Sequence, residues 1–140
     1  MEAQSRELKV TLLENILGAS SAPNVWAALG RWVESWQATL AGGEIEAAQG
    51  MLSLDCLWLV GHLGTLDWQG VPGDRLSKSR SLTVEMHRQL MLLRTDLRFL
   101  SVTRQDQKRS QLMNQMGDRF KHIGGYCQMA QQYLNGDLEE

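Results

Sequence analysis

Proline is nearly missing from this chain: Pro23 and Pro72 are the only two in 140 residues. So few interruptions suit long helices, and glycines gathered in a few places supply short joints. Cysteine is equally scarce. Cys56 and Cys127 lie far apart, without the paired spacing of a zinc site, and each falls on an apolar stripe. Both are expected as small buried thiols in a reducing cytosol. No apolar run approaches the ~18 residues of a membrane span. Met1 to Thr11 lacks a basic start followed by an apolar run, so no signal peptide is expected. These absences place the chain in the cytoplasm, without a membrane partner.

Catalytic signatures are missing as well. The chain has no glycine-rich phosphate loop, no dinucleotide fingerprint, no HExxH, no CxxC and no calcium loop. His62, His87 and His122 stand singly, so neither a metal nor another cofactor is expected. Helical phosphotransfer domains carry a histidine with Lys and Gly three and four residues later. Here His62 is followed by Leu63, Gly64, Thr65 and Leu66, which argues against that chemistry. No enzyme is expected.

What the chain does have is helical periodicity. Leu82, Met86, Leu90, Leu93, Leu97 and Leu100 recur at steps of three and four. Leu112, Met116, Phe120, Ile123, Cys127, Ala130 and Leu134 do the same after a joint near Thr103 to Gln111. Each set keeps to one side of a 3.6-residue helix and has to be buried, most simply in an antiparallel hairpin. Val25, Leu29, Val33, Trp36 and Leu40 form a third stripe. Ile45, Ala48, Leu52, Cys56, Leu59, Leu63 and Leu66 form a fourth. The fold expected is all-α: an antiparallel up-down bundle of four main helices, about 24–40, 44–66, 76–103 and 111–134. A short amphipathic helix over about 4–17 carries Leu8, Leu12 and Ile16 on one face. Residues 1–140 read as one domain, with 1–22 as an N-terminal extension and 135–140 as an acidic, disordered tail. The extension finds a groove on the bundle, frays, or packs on another subunit.

Three helices carry more apolar surface than one stripe needs. Met51, Leu54, Leu57, Trp58 and Val60 make the 44–66 helix apolar on more than one side, as expected of a central helix or an oligomer contact. Trp26, Trp32 and Trp36 either fill wide gaps between helices or leave Trp26 or Trp32 partly exposed as a recognition anchor. On the 76–103 helix, Val84, Arg88, Met91, Thr95, Phe99 and Val102 fall opposite the leucine stripe at ~100° per residue, with Arg98 beside them. Exposed apolar groups flanked by arginine are what interaction sites look like. These seven residues are the candidate protein-binding site, unless the N-terminal helix covers them or their helix is central.

Charge is unevenly spread. Residues 1–74 carry nine acids and three bases, residues 75–121 eleven bases and four acids. Such polarity suits an acidic partner or nucleic acid, or is self-complementary within the bundle. Nucleic acid is a poorer fit, because the bases do not share one helix face and the pI is near 5.9. Arg88 and Arg94, for instance, lie ~120° apart on the wheel. Arg104, Lys108 and Arg109 gather at the hairpin tip.

The runs QLMLLRTDLRFLSVTRQ (Gln89 to Gln105) and GDRFKHIGGYCQMAQQYL (Gly117 to Leu134) resemble the cyanobacterial heterocyst frequency control protein PatD family. The matching positions are Leu90, Leu93, Asp96, Phe99, Leu100, Asp118, Arg119, Tyr126 and Cys127, within less than half of the chain. The resemblance implies a small, non-enzymatic cytoplasmic regulator of cell differentiation, linked to assembly of the tubulin-like division protein FtsZ. It carries no catalytic or binding motif. The partner expected is therefore another protein, with FtsZ the candidate, and the alternative is an oligomeric structural or adaptor bundle such as a homodimer.

Overall fold

The computed structural model describes residues 2–135, with side chains from Arg6 onward. Among these residues there are five α-helices and no strand: α1 (Glu2–Leu17), α2 (Ala22–Ala41), α3 (Gln49–Leu63), α4 (Leu76–Val102) and α5 (Asp106–Asn135). The fold is an all-helical bundle. Each helix packs on two neighbours in the ring order α1, α2, α5, α4, α3 and back to α1. The tail expected to be disordered lies, beyond Asn135, outside the described residues.

The apolar stripes build the core as the periodicity requires. Leu29, Val33, Leu52, Cys56, Leu90, Leu93, Phe120 and Ile123 are all buried in one continuous cluster. α4 and α5 form an antiparallel hairpin. Arg75 at the foot of α4 donates to the Tyr133 carbonyl near the end of α5, while Asp96 meets Arg119 further along. α5 also runs antiparallel to α2. Gly117 lies beside Leu40 and Gly124 beside Val33, close approaches for which a bare α-carbon leaves room.

The tryptophans of α2 span the middle of the ring. Trp26, Trp32 and Trp36 are all fully buried, so neither Trp26 nor Trp32 is an exposed anchor. Trp26 Nε1 donates to Thr83 on α4 at 3.2 Å, and Trp32 Nε1 donates to Asp55 on α3 at 3.0 Å. Trp32 also meets Phe120 of α5 edge-on at 6.1 Å, and the ammonium of Lys9 on α1 sits 4.6 Å from the Trp36 ring centroid. Three side chains thus tie α2 to every other helix. Their bulk replaces the direct backbone packing that helices across the ring do not make.

Helix ends depart from the expected bounds where polar residues blur the pattern. α2 closes with a Schellman turn: Gly43 takes φ +74°, its N–H reaches Leu40 O, and Glu44 N–H reaches Thr39 O. The next helix was expected from residue 44 but begins at Gln49, after a single 3₁₀ turn over Glu46–Ala48. There Ile45 is buried and Arg109 holds Glu46 at 2.6 Å, so the chain tightens before it straightens. α3 stops at Leu63, with Leu66 buried in the connection that follows. The α4–α5 joint is only residues 103–105, because α5 starts at Asp106 rather than near 111. The early turns of α5 carry no apolar stripe, so periodicity could not reveal them. Arg109 secures the joint by donating to the carbonyls of Leu100 and Thr103.

α1 packs into the bundle, against α2 and α3. Leu12 and Ile16 are buried, but Leu8 is exposed, and the core-facing position beside it belongs to Lys9. At the other end of α1 the α1–α2 joint is strapped to the connection after α3. Ala22 N–H donates to Asp67 O at 2.7 Å and Asp67 N–H to Ser20 O at 2.8 Å. Trp68 closes that end, edge-on to Trp26 and beneath the guanidinium of Arg80.

Candidate protein-binding face

α4 divides into two sides. Met86, Gln89, Leu90, Leu93, Asp96, Leu97 and Leu100 point inward and are buried. On the opposite side Val84 is 64% exposed, Met91 45%, Phe99 56% and Val102 73%. Arg88, Thr95 and Arg98 are exposed among them. All seven residues singled out from the sequence therefore share one solvent-facing side, ~27 Å long from Val84 to Val102. α1 does not cover it, because α1 packs on α2 and α3. The sequence left open whether this stripe was hidden; among the described residues nothing hides it.

The arginines here are available. Arg88 approaches Glu85 only at 3.9 Å, and both side chains face solvent, where such a pair contributes little. Thr95 bonds back to the Met91 carbonyl at 3.1 Å, leaving its methyl among the apolar groups. Beside Val84 a hollow of about 430 Å³ opens, lined by Gly73, Leu76, Ser77, Arg80, Ser81 and Val84. It joins the start of α4 to a 3₁₀ turn over Gly73–Arg75, a juxtaposition that helix periodicity does not reveal.

Several other bases are committed to the fold. Arg75 serves the end of α5, Arg109 the hairpin joint, and Arg119 donates to Asp96 at 3.2 Å within the α4–α5 contact. Burial pushes the Asp96 carboxyl above its ordinary range, and Arg119 opposes that shift. The tip cluster expected from Arg104, Lys108 and Arg109 thus loses its third member to structural work. The basic side of the molecule is smaller than the sequence count suggests.

A second polar cluster lies under α1. Lys9 Nζ donates to Ser35 Oγ at 2.9 Å. Burial lowers the pKa of Lys9 and raises that of Asp55. The Trp32 N–H holds the Asp55 shift in check, and the Trp36 N–H, nearby but outside hydrogen-bonding geometry, acts the same way. A hollow of about 530 Å³ beside Lys9 is lined by both signs of charge, Arg6 and Lys9 against Glu44 and Glu46. Two of those four are already held, Lys9 by Ser35 and Glu46 by Arg109.

The single histidines stay apart. His62 Nε2 lies 2.6 Å from the Ala19 carbonyl, so that nitrogen carries the proton and the ring helps strap the bundle end. His122 is exposed and stacks on Tyr126. Among the described residues no three His, Cys, Asp or Glu side chains converge on one point, and no helix is long and apolar enough to cross a membrane. Both cysteines are buried and free.

No protein-family model matches this chain, and searches of curated proteins and of solved structures likewise gave no match.

Proposed function

We propose that this chain is a non-enzymatic cytoplasmic regulator that binds another protein through the outer side of α4. The observation that carries the reading is the uncovered row of Val84, Met91, Phe99 and Val102 with Arg88 and Arg98 set among them. Large apolar side chains on the solvent side of a well-packed helix contribute nothing to the monomer's core. Interleaved with arginine they form the apolar centre and charged border of a protein contact. The arginines would speed encounter with an acidic partner, and Phe99 and Met91 would supply most of the affinity.

The partner proposed is FtsZ, an acidic protein, on the strength of the resemblance to the PatD family. Most of the resembling positions are inward-facing: Leu90, Leu93, Leu100 and Cys127 are buried, and Asp96 and Arg119 are paired. Phe99 is the one large apolar member that faces solvent, and it sits on the proposed face. Two free buried thiols suit a reducing compartment. A role in heterocyst differentiation comes with the same resemblance.

The test replaces Phe99 and Arg88 together by alanine. Circular dichroism should be unchanged, because both side chains are exposed. Co-sedimentation with FtsZ polymers should weaken by at least roughly 30-fold, the loss of about one hot-spot residue. A correctly folded variant that still sediments like the parent refutes the face.

A further inference from the structure

We propose that the outer side of α3 is a homodimer interface, two copies of this chain meeting through α3 about a two-fold axis. Leu54 is 58% exposed, Leu57 47% and Trp58 60%, three large apolar side chains on a helix whose opposite side builds the core. α3 is at the rim of the ring rather than its centre, packing on α4 and α1. Its exposed side needs another explanation than burial within one chain.

The absence of charge fits a second copy as the occupant. Among the described residues every other helix shows charged side chains to solvent, such as Glu14 on α1, Arg31 and Glu34 on α2, Arg88 on α4 and Lys121 on α5. α3 shows none. Its one acid, Asp55, is buried against Trp32, and His62 is turned to Ala19. In a two-fold contact the same patch meets itself, so any cluster of one sign is placed against its own kind. The α3 side meets no such penalty. The α4 side does, with Arg88 and Arg98 answered only by Glu85, and so calls for an unlike partner.

Spacing fits the same occupant. Gly50, Leu54, Leu57 and Gly61 follow steps of four, three and four, the seam along which two helices pair. A side chain at Gly50 or Gly61 would meet nothing within 4 Å in the monomer, so its own packing does not require glycine there. Glycine inside a helix costs stability relative to alanine. Here it opens notches beside the leucines through which a second backbone can approach closely. α3 is only ~22 Å long, and a contact confined to one side of so short a helix buries less than the ~800 Å² per partner of a standard interface, so the dimer is reversible rather than obligate.

Sedimentation equilibrium of the full chain from roughly 5 to 500 µM, a span that covers reversible pairs, should show the mass rise from 15.8 kDa toward twice that value. Leu57→Glu and Trp58→Glu should each hold the mass at the monomer value with unchanged circular dichroism, while Val84→Glu on α4 leaves dimerisation intact. Leu57→Cys should give a disulfide-linked dimer under mild oxidation, against the background of the buried Cys56 and Cys127. A chain that stays monomeric throughout overturns the proposal. So does a dimer that Val84→Glu splits and Leu57→Glu does not. FtsZ binding enters none of these measurements, so failure here is separable from failure of the α4 face.

Discussion

Replacing Trp32 by phenylalanine tests the centre of the ring, because it removes one N–H from a buried carboxylate while keeping an aromatic ring against Phe120. Asp55 is 5% exposed and accepts from Trp32 Nε1 at 3.0 Å. Burial already raises its pKa above the ordinary 3.8, and loss of the donor raises it further. A carboxyl with a raised folded pKa contributes stability that is fully present below the unfolded value and lost as pH rises through the folded one. The gap between parent and variant must therefore widen with pH. Below about pH 3.8 Asp55 is largely protonated in both proteins, and the variant loses packing, roughly 1–2 kcal/mol against the roughly 3–5 of full truncation to alanine. It also loses a hydrogen bond to a neutral carboxyl, roughly 0.5–1.5 kcal/mol. Once pH has risen above the folded Asp55 pKa, the lost hydrogen bond to a charged carboxylate adds about 1.5–3 kcal/mol. Urea unfolding of both proteins at the two pH values measures the difference, and the other carboxylates cancel in the comparison. Adding Asp55→Asn to both backgrounds, which keeps an acceptor but removes the charge, should reduce the high-pH gap to its low-pH size. A gap that is the same at both pH values, or that survives Asp55→Asn unchanged, refutes the assignment of Trp32 as the support of a buried charge.

Arg109→Ala removes the donor to Leu100 O and Thr103 O together with the contact to Glu46, and should cost about 1–3 kcal/mol in urea unfolding, with faster amide exchange at Thr103. A loss within about 0.5 kcal/mol of zero would show that the short joint holds itself. Cys56 and Cys127 should resist thiol reagents in the native protein, because burial pushes the Cys127 thiol up to about 12 and raises Cys56 as well. Both should react at once in denaturant. Prompt labelling without denaturant would contradict their placement in the core.

Much of the fold was legible because burial acts on spacing. The leucines of α4 and the stripe from Met116 to Ala130 on α5 are inward-facing, as steps of three and four require. Boundaries were legible only where apolar residues reach them. Residues 106–111 are helical without an apolar stripe, and Glu44 resembles a helix start although it belongs to the turn that closes α2. Polar groups that work inside the core were not legible at all. Nothing in the pattern of α1 says that Lys9, rather than Leu8, turns toward Trp36. That choice rests on Ser35 and the indole face, which come from another helix. The α4 face could be drawn by wheel arithmetic, but its exposure depended on where α1 docks, and that is a tertiary decision.

Helix α3 presented the same ambiguity in a sharper form. Its all-round apolar character fits a central helix and a dimer contact equally well, and the tryptophans of α2 remove the first. By bridging to Thr83, Asp55 and Phe120 they fill the centre of the ring, so α3 is left at the rim with its second side outward. The molecule then offers two apolar surfaces on neighbouring helices that differ in charge, one bare and one bordered by arginine. They use different side chains, so pairing through α3 leaves the α4 row intact on each copy. A dimer of that kind would present two such rows at once. On a polymeric partner, linked rows turn the second binding event into an intramolecular one, and modest affinity at each face is enough for firm attachment.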